Sequence, residues 1–282
     1  MTLTVGLIQL NSGDDPAANL TQTLALVSEA ADRGAGFVLT PEVTNVVSSS
    51  RARQNDVLQD EDDDQTLHAL CDLARQRSIW LLIGSLALKS DDPDGRFVNR
   101  SFLVSPKGVP VARYDKIHMF DVQVSETETY RESAGYRPGE SAIVAQTDFA
   151  MLGMTICYDV RFPHLYRKLA QQGAELLAVP SAFSPVTGVA HWEVLLRARA
   201  IETGAYVLAP AQTGTHDAVT GKPRKTYGHS MVVDPWGRVL LDGGVETGVF
   251  LVDLDLAEVK DARARIPALK HDRDYRMIQN GS

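Results

Sequence analysis

The sequence predicts an α/β domain of four layers, an αββα sandwich in which two packed sheets carry helices outside. Short β-branched runs alternate with stretches of helical period along the whole chain. Several strand-length runs are almost continuously apolar, among them 175–179 (ELLAV), as in sheets covered on both faces. Connections of hairpin length are mixed with crossover helices, which suits two sheets packed together.

Taken in order, residues 2–10 read as a buried strand. Asp15 and Pro16 open a helix, an acidic cap followed by proline at the first helical position, and Gly34 closes it. Residues 37–40 form a second strand that ends at Pro41-Glu42. A helix over 63–77 precedes strands at 80–88 and 97–104, with a turn at Pro106-Lys107-Gly108. A further strand ends at Lys116. Periodicity is lost from 117 to 138, a polar, acidic stretch whose length marks it as a functional or disordered loop. Strands return at 142–146 and 151–157, then a helix at 163–172, a strand at 174–180 and a helix at 192–203. Strands near 206–211, 231–233, 239–241 and 249–254 follow, and 256–282 reads as a helix with an extended polar arm. No linker or low-complexity segment interrupts the pattern, so residues 1–282 read as a single domain.

Composition narrows the function. A net charge of −8 argues against general nucleic-acid binding and against attachment to anionic lipid, while leaving room for a local basic pocket. No apolar run approaches the ~20 residues that cross a bilayer. The first residues show neither a basic n-region nor an apolar h-region, and the expected location is the cytoplasm. Two cysteines, Cys71 and Cys157, are too few to staple a chain of 282 residues, and no Cys/His spacing suggests zinc.

The two cysteines occupy different contexts. Leu67, Leu70, Cys71 and Ala74 fall at i, i+3, i+4 and i+7, the apolar face of a helix, where cysteine serves as a small buried hydrophobe. Cys157 instead ends an apolar strand and precedes a turn into a helix, a junction expected to be exposed at a sheet edge. Backbone N–H groups of that turn can lower a thiol pKa and cradle an oxyanion, although core cysteines also end strands. Glu42 ends another strand, either as a catalytic carboxylate on a rigid element or as a helix cap or surface acid. Lys116 ends a third, either as a site cation or as an exposed lysine lying over an edge strand. His191 and His229 leave a Cys–His hydrolase open as an alternative.

Pro41-Glu42, YDKIH at 114–118 and GMTICYDVRFP at 153–163 resemble the Glu, Lys and Cys signatures of the nitrilase superfamily. They stand in the same order, with Glu42 to Lys116 and Lys116 to Cys157 separated by 74 and 41 residues. The likeness runs from residue 5 to residue 275. Within the superfamily, AHWEVLLRARAIET at 190–203, AQTG at 211–214 and YGHSMVVDPWG at 227–237 are similar to the Nit branch. They most resemble its amidases of deaminated glutathione.

The resemblance implies an αββα sandwich and a homodimer that extends the layers to αββααββα. It implies a second glutamate on the long loop, ahead of a Pro-Gly pair; Glu132, six residues before Pro138, matches that place, with Glu126 and Glu128 as neighbouring rivals. It further implies amide hydrolysis through a cysteine thioester, with no metal or organic cofactor. A free thiol has a pKa of ~8.5, so Cys157 as nucleophile needs a base, the role implied for Glu42. Lys116 and the backbone N–H of Tyr158 would meet the oxyanion, and Glu132 would hold Lys116 charged.

The implied substrate is a small anionic amide, deaminated glutathione, yielding 2-oxoglutarate and Cys-Gly. An ω-amidase acting on 2-oxoglutaramate, a broader short-chain amidase and a non-catalytic dimeric scaffold are the alternatives. Arg161, four residues after Cys157, is the expected partner of a substrate carboxylate, since a guanidinium fork matches one bidentately. Its competing role is a structural ion pair with Asp159 or Glu202. Arg224 and Lys225 are secondary candidates for a distal carboxylate.

Overall fold

The computed structural model describes residues 2–123, 126 and 129–278. The first half of the chain runs β1 (Thr2–Gln9), α1 (Pro16–Asp32), β2 (Phe37–Leu39), α2 (Arg51–Val57), α3 (Gln65–Arg77), β3 (Trp80–Leu88), β4 (Val98–Val104) and β5 (Pro110–Asp115). A small hairpin, β6 (Asp121–Gln123) with β7 (Thr129–Arg131), leads to β8 (Ile143–Gln146), β9 (Met151–Met154), α4 (Pro163–Gln171) and β10 (Leu176–Ala178). Then come α5 (Pro185–Thr203), β11 (Tyr206–Ala209), the hairpin β12 (Thr213–Thr215) with β13 (Lys225–Tyr227), and β14 (Met231–Val233). The last elements are β15 (Val239–Asp242), β16 (Gly248–Asp255) and α6 (Ala257–Arg265).

Two six-stranded sheets result, ordered β16-β1-β2-β3-β4-β5 and β15-β14-β11-β10-β9-β8. Each has a parallel centre, β1-β2-β3 in one and β9-β10-β11 in the other, flanked by antiparallel strands. Strand alternation sorts the core into layers. Val5, Leu7, Leu39 and Leu82 of the first sheet pack with Leu152, Met154 and Leu208 of the second. On the opposite face of the first sheet, Ile8, Val38, Leu81 and Ile83 meet Val27 and Ala30 of α1 and Leu67, Leu70 and Ala74 of α3. The outer face of the second sheet is covered by Leu165 and Leu169 of α4 and Trp192, Leu196 and Ala200 of α5. The layers are therefore helix, sheet, sheet, helix, as expected.

Local chemistry accounts for the helix starts. Asp15 accepts from the N–H groups of Ala17 and Ala18 ahead of Pro16, and Asp64 caps α3 through the Leu67 N–H. Helix α5 begins seven residues before the expected position, at Pro185. Gly188 in its first turn masks the apolar pattern, and packing explains it: a Cβ there would sit 2.2 Å from the Tyr227 ring. The stretch 117–138 is not structureless, for it carries β6, β7 and a 3₁₀ turn at Glu132–Ala134. Helix α2, capped by Ser50, also lacked a clear periodic signal. Among the described residues, no helix is long and apolar enough to cross a membrane.

Candidate active site

Three strand ends converge on one cavity of about 490 Å³, whose lining includes Glu42, Lys116, Glu132, Cys157 and Tyr158. Glu42 follows β2, Lys116 follows β5, and Cys157 follows β9. Rigid strands thus set their separation. A roomier groove of about 700 Å³ runs between α5 and α6, but its lining includes none of these residues.

Glu42 and Lys116 are both buried, and Lys116 Nζ donates to Glu42 Oε1 at 2.9 Å. The same ammonium reaches both carboxylate oxygens of Glu132, at 2.9 and 2.8 Å. Asn99 Nδ2 also donates to Glu42 Oε1 at 2.9 Å, and the Ala182 N–H donates to Oε2 at 2.8 Å. Glu132 is fixed in turn by the Phe120 N–H at 2.6 Å. Its rival Glu126 is exposed and does not line the cavity; Glu128 lies outside the described residues.

Burial disfavours the charge on Glu42, but the Lys116 ammonium, aided by Arg224, outweighs it and holds the carboxyl below its usual range. Burial also opposes the charge on Lys116, yet Glu132 and Glu42 together hold its pKa well above the ordinary lysine value. Glu42 and Lys116 therefore favour their charged forms in spite of burial, with Glu132 on the far side of the ammonium.

Cys157 departs from expectation in two ways. The strand stops at Met154, and Cys157 opens a 3₁₀ turn at Cys157–Arg161, buried rather than exposed. Its thiol is pushed up by burial, and then by the Glu42 charge beside it, rather than down by the turn. A thiol that resists ionisation needs a base to take its proton during attack, and Glu42 stands beside it for that task. Cys157 also carries a φ of 48°, as does Val43 next to Glu42. Left-handed backbone at non-glycine residues costs energy and clusters at functional sites, where packing enforces it.

Cys71 lies on α3 among the core contacts of the first sheet and is partly exposed. Arg161 stands behind the cavity wall: its Nη2 lies 3.1 Å from His191 Nδ1, and its guanidinium lies 5.9 and 5.6 Å from the rings of Tyr158 and Phe183, which line the cavity. It pairs with neither Asp159 nor Glu202. Asp159 accepts from the Tyr114 hydroxyl and the Ile156 N–H, while Glu202 bonds Arg199. Arg224 lines the cavity instead, and Lys225 does not. His229 bonds Asp242 and, like His191, is absent from the cavity wall. Asn99 and Ala182 were not singled out in the sequence. The polar run Asn99-Arg100-Ser101 inside strand 97–104 was the available signal for the first; the second acts through a backbone N–H that sequence cannot locate.

The carbon-nitrogen hydrolase family model matches residues 4–264. The deaminated glutathione amidase of Yersinia enterocolitica is 39% identical over 270 residues, covering 95% of this chain and 92% of that protein. The crystal structure of the Caenorhabditis elegans NitFhit protein superposes with a TM-score of 0.88 at 34% identity. The overlap spans 96% of this chain and 65% of that longer one. A glutamate-to-glutamine mutant of the amidase from Nesterenkonia sp. AN1, 28% identical with a TM-score of 0.75 over 94% of this chain and 98% of that one, shows acrylamide added to its active-site cysteine. With the strand-end cluster of Glu42, Lys116 and Cys157 held in that same fold, the chain belongs to the carbon-nitrogen hydrolase family.

Proposed function

We propose that this chain hydrolyses deaminated glutathione to 2-oxoglutarate and Cys-Gly, using Cys157 as nucleophile. The observation that carries the chemistry is the buried contact of Glu42 with Lys116, beside a thiol kept neutral. Glu42 takes the thiol proton as Sγ adds to the amide carbonyl, and the C–O double bond becomes an oxyanion. Lys116 and the Tyr158 N–H stabilise that charge, donors of a kind worth roughly 3 kcal/mol each. Glu42 passes its proton to the departing amine, the C–N bond breaks, and a thioester remains. Water, deprotonated by Glu42, then adds to the thioester, and Cys157 leaves as thiol when the acid departs. Glu132, on the far side of Lys116, holds the ammonium charged and aimed.

The substrate choice rests on likeness to the amidases of that name, and on a cavity whose wall includes Arg131, Lys222 and Arg224 despite the net negative charge. The two cysteines are free, which fits a reducing cytoplasm. The chain works as a homodimer through α5, whose outer face exposes Val186, Val189, Val194 and Ile201. A release assay offering deaminated glutathione and 2-oxoglutaramate side by side is the test. Preference for 2-oxoglutaramate would replace this reading with that of an ω-amidase.

A further inference from the structure

Helix α5 starts at the wall of the cavity, and its start is chemically incomplete. Ser184 is its N-cap, in extended conformation, yet the side chain makes no capping hydrogen bond. An N-cap serine ordinarily turns its oxygen onto the N–H groups of the first turn. Here Ser184 is only 5% exposed and its Oγ has no partner. In the same cavity wall, Arg224 donates from Nη2 to the Ala182 carbonyl at 2.9 Å, while its buried Nε is also without a partner. Ser184, Thr187 and Arg224 all line the cavity.

From these atoms we infer a carboxylate subsite at the start of α5, built by Ser184, the Thr187 N–H and Arg224, for the acyl half of the substrate. The inference rests on the amidase reading above and deepens it. A helix of 19 residues presents the positive end of its dipole at this point, together with the N–H of Thr187; Pro185 has none, and the Gly188 N–H already donates to the Ser184 carbonyl at 2.8 Å. A hydroxyl and a guanidinium Nε left unpaired in a buried wall favour a ligand that accepts from both.

Depth selects which carboxylate binds here. Arg224 is anchored to Ala182, the residue whose N–H holds Glu42, and its charge acts on Glu42 directly. Ser184 stands two residues beyond Ala182, within ~7 Å along an extended chain. Lys222 and Arg131, by contrast, are exposed at the rim. An acyl group such as 2-oxoglutaryl ends in a carboxylate close to the reacting carbonyl and fits the inner position. The leaving dipeptide carries its carboxylate farther out, toward the rim.

Protection of Cys157 from iodoacetamide, followed by peptide mass, tests this without turnover. The probes are 2-oxoglutarate and butyrate, which lacks the second carboxylate, applied to wild type, Ser184→Ala and Arg224→Gln. Wild type is expected to be protected by 2-oxoglutarate at a concentration at least tenfold below that needed for butyrate. Each variant is expected to lose that advantage. Equal protection by 2-oxoglutarate in wild type and both variants, or no advantage over butyrate in wild type, would overturn the subsite. Arg224→Gln removes a backbone anchor and can unfold the loop; Ser184→Ala deletes an oxygen that bonds nothing and keeps the test decisive. Should wild type hydrolyse neither deaminated glutathione nor 2-oxoglutaramate, the functional reading fails, while the protection result still decides the subsite.

Discussion

Tyr114 donates through its hydroxyl to Asp159 Oδ2 at 2.7 Å, joining β5, which leads into Lys116, to the turn that begins at Cys157. Asp159 is fully buried, and its other contacts, from the Ile156 N–H and from His118, pin the same turn. Tyr114→Phe is expected to leave the carboxylate short of a donor. The cost is about 1–3 kcal/mol of stability, read as a lower Tm. It should also lower kcat more than it raises KM, because the nucleophile shifts against its oxyanion donor. An unchanged Tm and kcat would remove Tyr114 from any positioning role.

Cys157→Ala is expected to abolish turnover with the fold intact, whereas Cys71→Ala keeps activity close to wild type. The contrast follows from a cavity position for one thiol and a helix position against the first sheet for the other. Circular dichroism checks the fold and product release the activity; turnover by a pure Cys157→Ala sample contradicts the mechanism.

Glu42→Gln and Lys116→Met should each lower kcat by roughly 10²–10⁴-fold, with smaller changes in KM. Both groups act on charge that develops only in the transition state. Glu132→Gln should lower kcat as well, since it loosens the ammonium it now grips through both oxygens. Steady-state kinetics decide: a rise in KM alone would make these residues simple substrate binders.

At Gly84 both halves of the site pack against one backbone position. A Cβ at this position would lie 2.0 Å from the Thr40 carbonyl oxygen, 2.5 Å from that of Pro41 and 2.6 Å from Pro180 Cβ. Thr40 and Pro41 lead to Glu42, and the Pro180 carbonyl accepts from the Cys157 N–H at 2.9 Å. Gly84→Ala should therefore cost roughly 3 kcal/mol or more and depress kcat in whatever protein remains folded. Urea unfolding measures the first effect; a change below 1 kcal/mol, judged against the typical ~1–3 kcal/mol of overpacking, would mean the backbone yields easily.

His216 gives a pH dependence of known sign. Its Nδ1 lies 2.8 Å from the Ser12 carbonyl oxygen and its Nε2 2.7 Å from Thr226 Oγ1. Burial, with a smaller push from Arg224, takes its pKa from 6.5 down to about 4. Below pH 6.5 the unfolded chain gains a proton that the folded chain refuses until pH 4. Stability from this group is thus present above pH 6.5 and falls by up to roughly 3 kcal/mol toward pH 4. Chemical unfolding at pH 7 and pH 5 should show a steeper loss for wild type than for His216→Gln. Equal slopes would assign the acid sensitivity to carboxylates alone.

The sequence by itself determined the alternation of strands and helices, the four layers, and Glu42, Lys116 and Cys157 as strand-end residues. Periodicity and strand boundaries are local properties, and the three motifs are contiguous, so each survives in a linear reading. Glu132 was legible only through its resemblance to a family motif, because nothing within 117–138 marks it. Tertiary structure alone decided the rest. That Asn99 and the Ala182 N–H hold Glu42 depends on segments of the two sheets, far apart in sequence, meeting beside the carboxylate. The neutral resting state of Cys157 depends on burial beside a charge, where the linear pattern had suggested an exposed and acidified thiol. The positions of Arg161, behind the cavity wall, and of Arg224, in it, depend on the fold for the same reason. Proximity to Cys157 along the chain favoured Arg161, but the 3₁₀ turn carries its side chain to His191, while the β12–β13 hairpin returns Arg224 to the cavity. A side chain's direction is fixed by backbone torsion and by the surfaces packed around it, and neither is written in the local sequence.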